Sequence, residues 1–191
     1  MKPEAPRAYK GNRPLSTSRI NRDGLKRGTV APAFTLPLCD GGEISLEEYR
    51  GRKLLLVFSA PDCPPCRELM PQLDALHKRT PDIAVLTISH GKPDTVRAEL
   101  AEYPVGFPVA VQKSWEISRR YAKFATPIAY LIDESGRTAS EVTTGPEPIL
   151  MLLASAQMLA LAKTIKLMRD SMTRKLKASR PRGAKNIRAS K

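Results

Sequence analysis

The rhythm of apolar and polar positions changes several times along this chain, and each change marks an element. Residues 54–58 (Leu-Leu-Leu-Val-Phe) form an unbroken apolar run within 53–59, and Ile83-Ala84-Val85-Leu86-Thr87-Ile88 forms a second. Short runs of this kind, bounded by turn signals, predict strands buried on both faces. Between them Leu69, Leu73 and Leu76 recur at spacings of four and three, the stripe of a helix packed on a core. Pro71 lies inside that helix, where a missing N–H costs roughly 3 kcal/mol unless the bend serves packing. A second helix is predicted from Asp94, whose side chain can cap it, to about residue 103. Residues 108–111 then read as a short strand with Pro108 at its start, and 114–123 as a helix capped by Ser114.

Upstream, Phe34-Thr35-Leu36 and Glu43-Ile44-Ser45-Leu46 alternate on either side of Asp40-Gly41-Gly42, the pattern of a small hairpin. Downstream, 128–132 and 138–143 are alternating strands joined by Asp133-Glu134-Ser135-Gly136, and Gly145-Pro146 ends the sheet before a long helix that begins near Glu147. Strands alternating with helices, then an antiparallel hairpin and a last helix, predict an α/β three-layer sandwich with a mixed sheet.

Length and charge divide the chain into three parts. With 191 residues, 41% of them hydrophobic, it holds one domain with a sizeable core, predicted over 29–162, and spare length at both ends. The net charge of +13 belongs to those ends: residues 1–30 hold eight Lys/Arg against Glu4 and Asp23, and 163–191 hold eleven against Asp170. Residues 1–28 carry too little apolar surface to offset chain entropy and are predicted to be disordered. No nucleic-acid motif or row of interleaved aromatics accompanies the cations, so no specific nucleic-acid partner is predicted. The first 29 residues contain no apolar run of a signal peptide, and the longest apolar stretch, 149–162, is shorter than the roughly 20 residues that span a bilayer. That stretch is predicted to be a buried helix. The chain is expected to be cytoplasmic, or extracytoplasmic and membrane-tethered if an anchor precedes the given start.

The candidate chemistry sits in Cys63-Pro64-Pro65-Cys66, directly after the first buried strand and at the start of the first helix. Unpaired N–H groups and the helix dipole favour an anion there, which makes Cys63 the predicted exposed, low-pKa nucleophile and Cys66, one turn deeper, the resolving thiol. Pro64 and Pro65 fall in the first turn, where absent N–H donors cost least. Asp62 disfavours a Cys63 thiolate and Arg67 favours it. Cys39, in the hairpin turn, is expected to be a bystander thiol. His77 and His90 are read as surface residues, and Trp115 and Tyr121 as packing residues. One cysteine pair with a distant Cys39 and two isolated histidines is not a zinc ligand set, and neither metal nor cofactor is predicted.

With this motif after the central strand, Pro71 in the following helix, Thr126-Pro127 before the penultimate strand and Gly145 after the last one, the chain resembles the thioredoxin superfamily over about residues 28–161. Its Gly28-Thr29-Val30-Ala31-Pro32-Ala33-Phe34-Thr35-Leu36-Pro37 opening and its Leu46-Glu47-Glu48-Tyr49-Arg50-Gly51 segment resemble the redoxin or TlpA-like branch, including relatives of the methylamine dehydrogenase accessory protein. The resemblance implies a thioredoxin-like fold with an inserted helix and strand over 94–111. It also implies a cis Thr126-Pro127 peptide facing the cysteines and presenting substrate. Two positions depart from the superfamily pattern: Val57 stands where thioredoxins place an acid, and Asp62 where an aromatic precedes the first cysteine.

The function expected is thiol-disulfide oxidoreductase, exchanging the Cys63-Cys66 pair with a protein disulfide and recharged by a separate electron donor. A redox-inactive interaction module and a redoxin-type thiol peroxidase are the alternatives. Neither cysteine has the peroxidase spacing of Pro and Thr or Ser seven and three residues before it. Beyond the domain, Met151, Ala154, Met158, Leu161, Ile165, Met168 and Met172 form a heptad-like stripe. Its basic part, within 163–191, is expected to dock on a partner helix or an anionic membrane surface, or to fray into a disordered tail after Ser179.

Overall fold

The two apolar runs become the centre of one sheet. A computed structural model describes residues 23–178 except residue 122, and in it β3 (Lys53–Ser59) lies between β4 (Ile83–His90) and β6 (Ile128–Ile132). β3 pairs in parallel with β4 from Lys53↔Ile83 to Ser59↔Ser89, and antiparallel with β6 from Leu54↔Ile132 to Phe58↔Ile128. β5 (Val109–Gln112) extends the sheet beyond β4 in parallel, and β7 (Thr143–Thr144) closes the other edge against β6. A separate hairpin of β1 (Thr35–Pro37) and β2 (Glu43–Ser45) precedes them, as the alternation indicated.

Because side chains alternate along a strand, β3 feeds two cores at once. Leu55 and Val57 join Val85 under α1 (Pro64–His77), α4 (Pro146–Ala178) and Val96 of α2 (Pro93–Glu102). Leu54, Leu56 and Phe58 face Phe34, Leu36, Leu46, and Ile117 of α3 (Glu116–Arg120) with Tyr121 at its end. The result is the predicted three-layer α/β arrangement with a mixed sheet. Pro71 sits within α1, and the helix runs through it to His77.

Several sequence expectations are corrected by tertiary contacts. Residues 24–28, predicted to be disordered, are tied to the domain: the Tyr130 hydroxyl accepts the Leu25 N–H at 3.0 Å and donates to the Tyr121 carbonyl at 2.7 Å, and the Gly28 N–H donates to the Thr138 carbonyl. Gly24 has a φ of +82°, and a Cβ there would stand 2.6 Å from Val142, so only glycine fits the approach. The rest of the predicted disorder, 1–22 and 179–191, lies outside the described residues. α2 begins at Pro93 rather than at an Asp94 cap, and Asp94 instead pairs with Arg97 one turn on. α3 shrinks to five residues, since Ser114 and Trp115 both have positive φ and cannot start it earlier. The predicted 138–143 strand reduces to a bridge at Thr138 and the two residues of β7. Between them the Ser140 hydroxyl takes the Leu131 N–H at 3.0 Å in place of a backbone partner.

The largest correction concerns α4. Among its described side chains Ile149, Leu153 and Ala156 alone are buried, so the stretch predicted to be a buried helix is the root of a longer, exposed one. Within Pro146–Lys175 an 18-residue window is long and apolar enough to cross a membrane, with a mean hydropathy of 1.6 and 17% of its residues buried. Two features oppose a span. A span over the apolar window would pull Ile149, Leu153 and Ala156 off the sheet, and one shifted to residues 158–178 would bury Lys163, Lys166, Arg169, Asp170, Arg174, Lys175 and Lys177, each costing about 2.5–3.5 kcal/mol at a bilayer centre.

Two stability measurements check this packing. Leu56→Ala, in a fully buried position of the central strand, is expected to cost about 2–5 kcal/mol, read as a lower urea midpoint at unchanged slope. Asp74 on α1 holds the chain entering β5, accepting the Gly106 N–H at 2.8 Å and pairing with Lys78 at 2.6 Å. The Lys78 hydrogen bond, followed by the Gly106 N–H, holds the Asp74 carboxyl below the usual carboxylate range. The depressed value means the charged form is favoured in the native state. Its contribution is therefore full above the unfolded carboxylate range near pH 4 and lost as pH falls through the native value. Asp74→Asn should be less stable at neutral pH and should lose less stability on acidification than the unsubstituted protein.

Candidate functional site

The site is built where β3 leaves the sheet. Its carboxyl end runs into Ala60-Pro61-Asp62, and Cys63 then caps α1 in an extended conformation, with Pro64 and Pro65 in the first turn. Cys63 and Cys66 are disulfide-bonded, with Cα atoms 5.2 Å apart. The Cys66 N–H donates to Cys63 Sγ at 3.2 Å, so a backbone donor of the helix N-terminus points at the first sulfur. Cys66 is 2% exposed and Cys63 8%, which keeps the expected order of depth but not the expected exposure of Cys63. Asp62, Pro64 and Pro65, exposed around it, form the rim.

The other predicted site residues converge on the same end of the sheet. The register Phe58↔Ile128 places Thr126-Pro127 beside the carboxyl end of β3, and this peptide bond is cis. The Pro127 carbonyl is held by the Gly145 N–H at 3.0 Å, so the glycine after the last strand fixes the proline's position. Val57 is fully buried on the α1 face, in the position where thioredoxins carry an acid.

Two groups near this end of the fold, Glu99 and Thr87, were not singled out in the sequence. Arg67 is held by Glu99 of α2, Nε to Oε1 at 3.5 Å, with Glu99 mostly covered and Arg67 half exposed. Burial lifts the Glu99 carboxyl above the usual range, and Arg67 offsets this in part; the Asp62 charge adds to the rise, so the three groups share one field. No sequence spacing links Arg67 to Glu99; the inserted helix brings them together. Thr87 lies in register with Val57 on β4, fully buried, and its hydroxyl has no hydrogen-bond partner among the described residues. It was legible as the one polar residue in the second apolar run. His90, expected on the surface, stacks on Trp115 with ring centres 4.3 Å apart, and Trp115 leans on exposed Phe124 at 6.2 Å. A Cβ on the next residue, Gly91, would meet the Pro61 ring at 3.3 Å, so this aromatic group adjoins the cysteine loop. His77, also expected on the surface, packs edge-on against Phe107.

Cys39 takes no part in the disulfide. It is buried, its N–H donates to the Val109 carbonyl, and burial, then the Asp40 charge, pushes its thiol up. Among the described residues no three His, Cys, Asp or Glu side chains gather as a metal site.

Known proteins share this fold and much of this sequence. The family model described as the AhpC/TSA family matches residues 27–140. The thioredoxin-like protein YneN of Bacillus subtilis is 34% identical over 118 residues, which cover 59% of this chain and 69% of that protein. The thiol-disulfide oxidoreductase ResA of Bacillus thuringiensis is 30% identical over 121 residues, or 62% and 70% of the two chains. Among solved structures, a protein of Chlorobium tepidum assigned as the thiol:disulfide interchange protein DsbE superposes with a TM-score of 0.61 at 29% identity, covering 71% of this chain and 97% of that one. The chain belongs to the AhpC/TSA family, in its thioredoxin-like thiol-disulfide oxidoreductase branch.

The charges around the pair make a test of their own. In a Cys66→Ser background, Arg67→Ala is expected to move the Cys63 thiol titration upward, and Asp62→Asn and Glu99→Gln to move it downward. Thiolate absorbance across a pH series reads these directions. An unmoved titration in all three variants would show that solvent screens the cluster.

Proposed function

We propose that this protein exchanges the Cys63-Cys66 dithiol and disulfide with the disulfide of a protein substrate. The observation that carries the reading is the Cys66 N–H aimed at Cys63 Sγ at the N-terminus of α1. The same donor and the helix dipole stabilise negative charge on Cys63 once the bond is reduced, which makes Cys63 the attacking sulfur.

In the reducing direction, the Cys63 thiolate attacks one sulfur of the substrate disulfide. A mixed disulfide forms and the first substrate thiolate leaves. The Cys66 thiolate then attacks Cys63 Sγ, closing the Cys63-Cys66 bond and releasing the second substrate thiolate. Two electrons pass to the substrate, and the protons lost by Cys63 and Cys66 balance those its thiolates take up. A separate dithiol donor restores the reduced pair by the same exchange run in reverse.

In this reading Thr126-Pro127 lays the substrate chain beside the sulfurs and exposed Pro64 and Pro65 limit its approach. Asp62 and Arg67 tune Cys63 in opposite senses. Cys66 has no carboxylate at Val57 to take its proton, and the Thr87 hydroxyl in register with Val57 is too weak a base to replace one.

Insulin reduction with a thiol donor tests the proposal. The unsubstituted protein is expected to accelerate precipitation, Cys63→Ser to fall to the uncatalysed rate, and Cys66→Ser to accumulate a mixed disulfide resolved on a non-reducing gel. Equal rates for the unsubstituted protein and Cys63→Ser would leave the thioredoxin fold as an interaction module and overturn the reading.

A further inference from the structure

α4 is attached to the domain only near its start. Among the described residues the last side chain with a hydrogen bond to the body is Gln157, whose Nε2 donates to Asp82 Oδ2 at 3.5 Å. Beyond it the helix continues to Ala178, roughly 30 Å at the α-helical rise, and every residue in 161–175 is exposed. Such a projection gains nothing from the core. A lone helical segment of this length is marginal in water, so its formation favours something that covers it.

Its sequence says what would do so. Met158, Leu161, Ile165, Met168 and Met172 follow one another at three and four residues on one face, each between 54 and 72% exposed. At 100° per residue, Lys163 and Arg174 lie on the opposite face, Lys166 beside them, and Arg169 and Lys175 border the apolar stripe on its two sides. Asp170 is the only acid in 163–191, against eleven Lys/Arg.

We propose that the projecting part of α4 lies in the plane of an anionic membrane surface, with the methionine-rich stripe among the acyl chains and Arg169 and Lys175 reaching the phosphates at its borders. A spanning orientation would have to bury the seven charges of residues 158–178 or strip Ile149 and Leu153 from the sheet. A second copy would cover the stripe, but it would bring the two strongly cationic segments together with no acids beside the seam to pair them. An anionic bilayer supplies both the apolar cover and the countercharge, and flexible methionines suit an irregular acyl layer. The inference is independent of the redox chemistry, because none of these residues belongs to the cysteine site.

Vesicle flotation of the full chain tests it, with phosphatidylcholine vesicles against vesicles that also contain phosphatidylglycerol. Binding is expected only to the anionic vesicles and to weaken with salt. Replacing Lys163, Lys166, Arg169 and Lys175 with Gln should weaken it up to about a thousandfold. Ile165→Asp with Met168→Asp should weaken it about tenfold or more while leaving the urea midpoint unchanged. Equal binding to both vesicles, no binding to either, or full binding by the aspartate variant would overturn the proposal. So would a concentration-dependent dimer, in the absence of lipid, that Ile165→Asp abolishes, since the stripe would then belong to a second copy.

Discussion

The burial of β3 on both faces and its pairing on both edges is the constraint from which the site follows. Leu54 through Phe58 lose all contact with water and hydrogen-bond to β4 on one side and β6 on the other. A strand so enclosed has one register, because a slip by one residue would exchange the side chains of its two cores. The point at which the chain leaves that strand is therefore fixed, and Cys63 is placed at the start of α1 within four residues of its end. The same pairing sets the other half of the site, since the Phe58↔Ile128 register delivers Thr126-Pro127 to the same rim.

At the sulfurs the helix N-terminus aims one donor, the Cys66 N–H, at Cys63. Nearby on α1 and α2, Arg67 pairs with Glu99, whose carboxyl also feels the Asp62 charge. On the α1 face of the sheet Val57 stands in the acid's usual place, and the Thr87 hydroxyl in register with it has no hydrogen-bond partner among the described residues. A carboxylate buried there would carry a large desolvation cost; a hydroxyl carries a smaller one and offers less basicity.

Much of this was legible in the chain. The buried runs at 54–58 and 83–88, the stripe of α1, the turn glycines and the cysteine spacing each act through local geometry, so their elements appear where the pattern puts them. The elements that came out differently are those decided by distant partners. α3 stops short because Ser114 and Trp115 take left-handed conformations where Trp115 meets His90. The strand expected at 138–143 breaks up because Ser140 turns its side chain into the ladder. Residues 24–28, too polar to fold by themselves, are held by the Tyr130 hydroxyl from a strand more than 100 residues away.

The sequence by itself determined the class of fold, the dithiol and its place at a strand-to-helix junction, since periodicity and short spacings are properties of neighbouring residues. Only the tertiary structure decided which charges the dithiol feels and how deep its sulfurs lie. It also decided which part of the last helix has a core to pack against. Arg67 and Glu99 meet because α2 and α1 pack into one core cluster on the same side of the sheet, and the apolar stripe of α4 outruns the sheet because the sheet ends first. Both depend on where separate elements stop in space, a quantity that no local pattern carries.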